Sequence, residues 1–262
     1  IALIFLSYAC YYYIIACLTT YFSAYLKDNT SALSSILATW IIWTIFLPRI
    51  WGNSVEKFYP LPSRQDFKAT MKEDRSKGID GHNPTDERRE KLKNRYLKEY
   101  NVDSLKQLPI NFDGIVMQED EEYGNLVWDK HFGSNYAIYK SQKKLYQLSG
   151  LLNPFASLQS LSMGVCGNDM VHHLDFLEKA EKYRRYLIKE LNDKHAFGGS
   201  KTGNWKWTVD ETFFKSVEGF NYRSPSIFEQ MVHYMRDIFF LMTWMVITTM
   251  LLRFNINKNN LL

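Results

Sequence analysis

The sequence predicts a mainly α-helical integral membrane protein, with three transmembrane helices flanking one large polar helical domain. Three observations predict it. Residues 1–26 contain no Asp, Glu, Lys or Arg, and neither do Asn29–Pro48 or Ile238–Leu252. Nearly all the charge lies between Arg49 and Asp237. Helix signals recur through that polar stretch, with no convincing alternating strand and no internal repeat. The mean hydropathy of −0.31 averages over this segregation and suggests a soluble globule that the residue order excludes. A net charge of +4 is too small to point to nucleic acid as a partner. Cys10 and Cys17 share one apolar run and Cys166 lies far away. They make neither a disulfide framework nor a CxxC metal pair.

The first element, Ile1–Phe22, is long enough to cross a hydrocarbon core of about 30 Å at roughly 1.5 Å per residue. It lacks the basic start of a signal peptide and is interrupted by Tyr11, Tyr12 and Tyr13. It reads as a transmembrane helix of a chain whose beginning is missing. The second span runs from about Ser31 to Leu47, with Trp40 and Trp43 inside it, Trp51 just beyond, and Pro48 and Arg49 at its end, as at a membrane–water interface. Ser23–Thr30 is short and polar, so residues 1–48 should form an antiparallel transmembrane hairpin. The third span starts at a Ser224-Pro225 cap and runs through Phe228, Met231, Tyr234 and Met235 into Ile238–Leu252. Arg236 and Asp237 sit at its mouth, and residues 231–262 form the C-terminal span and tail. Lys27, Arg253 and Lys258 fall on one side of the membrane, and Arg49, Lys57 and Arg223 on the other. With three spans, the tip near Lys27 and the tail share a side, and residues 49–230 lie opposite.

That 49–230 insertion is large enough for a core of its own. Ser63 caps a helix that Gly78 ends. Gly78-Ile-Asp-Gly-His-Asn-Pro84 is a tight turn, after which Thr85 or Asp86 opens a charged helix through about Tyr100. Val102–Leu108 is a short helix stopped by Pro109. Met117–Leu148 is a long helix packing through Leu126, Val127, Phe132, Tyr136, Tyr139 and Leu145, weakened at Gly124 and Gly133 unless a neighbour packs close. Asn153-Pro154 starts a short helix ending near Gly164 or Gly167. Asn168 or Asp169 opens the clearest amphipathic helix, to about Asn192. Met170, His173, Leu174, Leu177, Ala180, Leu187 and Leu191 share its apolar side, which should bury against Met117–Leu148. Lys179, Lys182, Arg185 and Lys189 lie largely on the other side. Thr208-Val-Asp-Glu211 reads as a capping box for one more short helix.

Few residues suggest chemistry. Gly198-Gly-Ser-Lys-Thr-Gly203 evokes a phosphate loop, but Ser200 precedes the Lys, His195 stands where an earlier Gly is needed, and a helix precedes it instead of a strand. An ordinary loop is the better reading, and no cofactor is expected on this chain. Asp169, His172 and His173 could form a metal or catalytic group, because i,i+3 and i,i+4 side chains are neighbours on a helix. The two histidines point about 100° apart, so further ligands would have to come from another helix, such as Glu119, Glu121 or Glu122. The plainer expectation is a hydrogen-bond network in which His173 packs in the helix interface and bonds Asp169, while His172 points away. His82 and His131 are structural or exposed. No GxSxG, HExxH or Cys–His signature occurs. The mixed-sign runs Lys72–Lys77 and Glu87–Lys98 are solvated helix faces.

The motifs Leu47-Pro-Arg, Tyr59-Pro-Leu-Pro-Ser63, Gly78-Ile-Asp-Gly-His82, Leu108-Pro-Ile-Asn-Phe-Asp-Gly114, Glu122-Tyr-Gly124, Leu151–Met163 and Asn168–Asn192, in that order, carry a likeness. The last includes Asp169, His172-His173, Phe176, Glu178, Ala180-Glu181, Tyr183-Arg-Arg185 and Leu191-Asn-Asp193. Together they resemble one family of ABC-2-type transporter permeases, which carries a domain of unknown function numbered 3526. The resemblance covers nearly the whole chain except the family's N-terminal portion with its additional spans. It implies the permease subunit of an exporter in the bacterial cytoplasmic (inner) membrane, with the insertion extracytoplasmic. It also implies a separate ATPase subunit that binds the ATP, a second permease subunit as a homo- or heterodimer, and membrane lipid as surroundings. It implies no substrate and no catalytic residue. The rival readings are a membrane-anchored enzyme or metal-binding protein centred on His172 and His173, and a structural extracytoplasmic binding domain.

Overall fold

The computed structural model describes residues 2–26 and 28–259, with side chains to Asn255. Lys27 and the side chain of Lys258, both used above to weigh orientation, lie outside it. The described residues are helical and contain no strand. They form two compact units. One joins residues 1–60, 138–175 and 223–262; the other joins 61–137 and 176–222. The stretch 138–175 therefore groups with the two ends of the chain, although it lies inside the polar insertion.

The first unit is built on three helices long and apolar enough to cross a membrane. α1, Ala2–Tyr25, runs three residues beyond the expected Phe22. Its hydroxyls turn back on their own helix, Ser7 donating to Leu3 O, Thr19 to Ile15 O and Thr20 to Ala16 O. In an apolar surrounding this satisfies groups that water cannot reach.

The second apolar helix departs from expectation: it does not end at Pro48. α2 (Asn29–Ile41), capped by Asp28, continues through a π-helical turn, Ile42–Phe46, into α3 (Leu47–Phe58). Proline normally breaks a helix by removing an N–H and crowding the preceding turn. Here the widened turn absorbs it. The Leu47 N–H reaches back to Ile42 O. That leaves Trp43 O without a backbone donor, since Pro48 has none to offer. Asn153 fills the vacancy, its Nδ2 donating to Trp43 O at 2.8 Å. Trp51 Nε1 then donates to Leu145 O at 3.1 Å.

The third apolar helix also starts differently. Ser224 and Pro225 lie outside any helix, and Ser226 is the cap. It opens only one turn, α10 (Ile227–Gln230), in a reciprocal capping box with Glu229. A 3₁₀ turn, Met231–His233, and a bend at Tyr234 follow before α11, Met235–Asn259. The Ser-x-x-Glu pair beats Ser-Pro because it satisfies two helix-start donors at once.

Asn153-Pro154 starts a helix as read, α7 (Pro154–Val165), with the Asn153 side chain accepting from Phe155 N. α1 packs against both α7 and α11, and α7 packs against α11. Ile14, Leu18, Trp43, Leu161, Tyr234 and Leu241 form the buried centre. Two glycines permit the closeness. A Cβ on Gly164 would lie 2.2 Å from the Tyr234 ring, and one on Gly150 would lie 2.2 Å from Ser157 Oγ.

In the second unit, α4 (Arg64–Lys77) lies between the Ser63 cap and Gly78 at φ 97°, as read. α5 (Thr85–Glu99) begins after Pro84. The helix expected over Val102–Leu108 shrinks to one 3₁₀ turn, Leu105–Gln107. α6 begins at Phe112, five residues before the expected Met117, and runs to Gln147. Its start is set by Asn111, whose side chain accepts from Asp113 N at 2.9 Å. Gly114 lets Ala196 approach; a Cβ there would lie 2.6 Å from Ala196 N. Leu92, Leu108, Ile110, Phe112, Ile115 and Ala196 form the core.

α8, Met170–Phe197, outruns the expected Asn192. Two expectations about packing fail in this unit. Leu126 is exposed, while its neighbour Val127 is buried. Arg185 does not face away from α6: it donates to Asp129 at 2.6 Å and to Glu181, while Arg184 bonds Glu121 and Asn125. Here the α6–α8 contact is ionic as well as apolar, because a long guanidinium stem reaches a partner from the edge of the apolar side. Leu177 is only half-buried. The capping box read at Thr208–Glu211 is also displaced. Asp210 caps α9 (Glu211–Ser216), accepting from Phe213 N.

Candidate functional site

A buried polar cluster lies in the first unit, where α6 ends, α8 begins and the chain enters α11. Asp169 is its centre. As the residue before α8, its carboxylate reaches forward to the first-turn N–H groups. His172 N donates to Oδ1 at 3.2 Å, and His172 Nδ1 lies 2.7 Å from the same oxygen. Lys143 Nζ donates to Oδ2 at 2.6 Å, and the Tyr234 hydroxyl donates to it at 2.8 Å. Lys143 also stands 4.6 Å from the Tyr234 ring centroid. A carboxylate offers about four lone-pair sites, and four donors from the chain occupy them.

Position relative to the cap decides the histidines, and it reverses the expectation. His172, not His173, bonds Asp169 and is buried, whereas His173 is exposed. A capping side chain addresses the third helical residue, and that residue is His172. The i,i+4 reasoning that favoured His173 treats Asp169 as already helical.

Burial raises the Asp169 carboxyl, but the bonds from Lys143, His172 and Tyr234 outweigh it and hold it down at about 2. Burial, then the bond to Asp169, pushes the Tyr234 hydroxyl above the usual phenol range. Burial and the nearby Asp237 charge raise Tyr146.

A second carboxylate lies alongside. Asp237 Oδ2 accepts from Gln147 Nε2 at 2.6 Å and from Ser160 Oγ at 2.8 Å. Its other oxygen is buried without a partner. Gln147 also donates to His233 O at 2.7 Å. Lys143, Tyr146, Gln159, Ser160, Met163, Asp169 and Met170 line a cavity of about 290 Å³ that touches both clusters. Sequence alone had singled out Asp169 and His172. Lys143 and Gln147 stood in an unremarked polar helix end, with no local signal of a role.

The other flagged residues have separate places. Glu121 takes Arg184, and Glu122 takes Gln118. His131 Nε2 lies 2.8 Å from Asp74, which also takes Lys130. The bond from Lys130 holds Asp74 below the usual carboxylate range. His82 is exposed. Among the described residues no three or more His, Cys, Asp or Glu side chains are arranged to hold a metal ion.

The Gly198–Gly203 loop closes the start of α6. Asn111 Nδ2 donates to Ser200 Oγ at 2.7 Å, Phe112 N to Thr202 Oγ1 at 2.9 Å, and Gly203 N to Asp113 at 2.8 Å. Ser200 is buried and its hydroxyl donates to His195 O. The Leu108–Gly114 motif and this loop thus explain each other.

Residues 64–223 match the profile of a domain of unknown function, DUF3526. Neither the curated proteins nor the solved structures returned a match.

Proposed function

Since the chain belongs to the DUF3526 family, we propose that it is the permease subunit of an ABC-2-type exporter. One observation carries the reading. Three long apolar helices bracket the family domain, and their apolar surface is largely bare; only 11% of the apolar window of Asn29–Phe58 is buried. Such faces need lipid and further membrane helices. In this reading the work is done by helices that switch between two packings. The energy comes from ATP bound and hydrolysed by a partner, and a second permease subunit completes the pathway. The domain between the spans stands outside the cytoplasm of a bacterial inner membrane. The tip near Asp28 and the tail are cytoplasmic.

The rival is a membrane-anchored enzyme or metal-binding protein at His172 and His173. It gains the cavity beside Asp169. Against it, Asp169 already takes four donors and His173 faces away from the cluster.

The test is purification of the tagged full chain from its native membrane in mild detergent. A stoichiometric ATPase subunit with Walker motifs, whose ATP hydrolysis depends on this chain, is the expected result. A chain that purifies without an ATPase overturns the proposal. Topology is tested separately in intact cells with Cys166→Ser as background. An impermeant thiol reagent should label Ser76→Cys and not Asn29→Cys; the converse inverts the orientation.

A further inference from the structure

We infer that the joint leading into α11 is a binding surface for anionic phospholipid. The inference rests on the reading of α11 as a membrane span. Phe228, Val232, Met235 and Phe239 recur at intervals of four, three and four residues. They are 83%, 78%, 55% and 65% exposed. They follow one another along α10, the 3₁₀ turn and the first turns of α11, so exposed apolar surface runs the length of the joint. It begins before the apolar run and continues into it without a polar break at those positions.

The opposite side of the same joint is tied down. Tyr234 is fully buried on Asp169, Asp237 is held by Gln147 and Ser160, and Gln147 holds His233 O. The joint therefore cannot roll its exposed apolar surface inward. Its continuity with the apolar run of α11 points to the bilayer as its occupant.

Charge identifies the kind of lipid. The Gln147 bond seats the end of α6 against the 3₁₀ turn. Lys144 lies one turn before Gln147 on the same strip of α6, with Lys140 one turn earlier still. Lys144, His233 and Arg236 are all exposed. Burial, followed by the charges of Lys143, Lys140 and Lys144, holds His233 below the usual imidazole range against the pull of Asp169. The three lysine charges act on His233 from the end of α6. Nearby acids are engaged: Asp169 and Asp237 as described, and Glu229 in its capping box. Basic groups at His233 and Arg236, set within this exposed apolar surface where it enters α11, suit a phosphodiester headgroup whose acyl chains follow α11.

The full chain in nanodiscs tests this. With matched phosphatidylglycerol and phosphatidylcholine, native mass spectrometry should find phosphatidylglycerol retained preferentially. Each basic residue near an anionic surface is worth roughly five-fold. Lys144→Gln with Arg236→Gln should therefore erase most of the preference, and Lys215→Gln should leave it intact. Equal retention of both lipids by the parent chain overturns the inference. So does a preference that survives the double substitution. So too does competition by soluble glycerol phosphate, which would mark a site for free anions.

Spin labels separate this inference from the membrane reading. Labels at Phe228→Cys and Val232→Cys should relax with dissolved oxygen more than with an aqueous nickel chelate, as should one at Met250→Cys within α11. If the Met250 label prefers the chelate, the membrane reading itself fails. If only the Phe228 and Val232 labels prefer it, the inference alone falls.

Discussion

Replacing Asp169 by Asn keeps the shape of the buried cluster and removes its charge. Both carboxylate oxygens accept in the native protein, from Lys143, Tyr234 and twice from His172. An amide nitrogen at either place sets a donor against donors. Lys143, only 16% exposed, loses its counter-charge. Removing one partner of a buried ion pair costs roughly 3–5 kcal/mol. The thin route from Lys143 to water puts the loss at the lower end, about 3 kcal/mol. His172→Ala leaves the cluster charged but short of a donor and should cost roughly 1–3 kcal/mol. Exposed His173→Ala should stay within about 0.5 kcal/mol.

The acid limb supplies a second reading of the same substitution. Asp169 sits at about 2 in the fold against an ordinary 3.8. A depressed carboxylate stabilises fully above the unfolded value and loses its contribution as pH falls through the folded one. The window is therefore from about pH 4 down to about 2. At 1.36 kcal/mol per pH unit, it is worth about 2.4 kcal/mol. Asp169→Asn should lose that part of the acid sensitivity, while Asp74 and Glu181, also depressed, keep theirs. Thermal unfolding of the full chain in detergent, followed by tryptophan fluorescence at pH 7 and across the acid range, measures both effects. A loss at His173→Ala equal to that at His172→Ala would refute the assignment. So would an Asp169→Asn protein with unchanged midpoint and acid limb.

Other substitutions probe the packing. Gly114→Ala places a Cβ 2.6 Å from Ala196 N and should destabilise by about 1–3 kcal/mol, whereas Gly133→Ala, with nothing within 4 Å, should stabilise by about 1 kcal/mol; denaturant midpoints compare them. Asn153→Ala removes both the α7 cap and the donor to Trp43 O, and should lower stability by roughly 2–4 kcal/mol in the same assay. Arg184→Ala and Arg185→Ala should show coupling greater than about 0.5 kcal/mol in a double-mutant cycle, since both bond Glu181; strict additivity would separate their roles.

Segregated charge made the apolar helices legible, and local caps made several boundaries legible. Ser63, Gly78 and Asn153-Pro154 all act where local chemistry placed them. Pro48 misled because its accommodation depends on Asn153, 105 positions away in the numbering. Ser224-Pro225 and Thr208 misled because better caps stood close by, at Ser226 and Asp210. The site was half visible. Asp169 and His172 are local to each other, but Lys143, Tyr234 and the Asp237 cluster meet only through tertiary packing. Arg185 showed the limit of helical-face arithmetic, which tracks the Cβ and not the end of a long side chain.

The packing of α1 on α11 also sets an order in time. Tyr13 and Thr249 hydroxyls meet at 3.0 Å although 236 residues separate them, and Asn255 reaches Tyr21 O. At roughly 5–20 residues per second, synthesis takes roughly 10–50 s to pass from one to the other. Throughout that interval the α1 surface around Ile14 and Leu18 exists without the Leu241 side of its core. Closure of α1 on α11 consequently waits until α11 has been made.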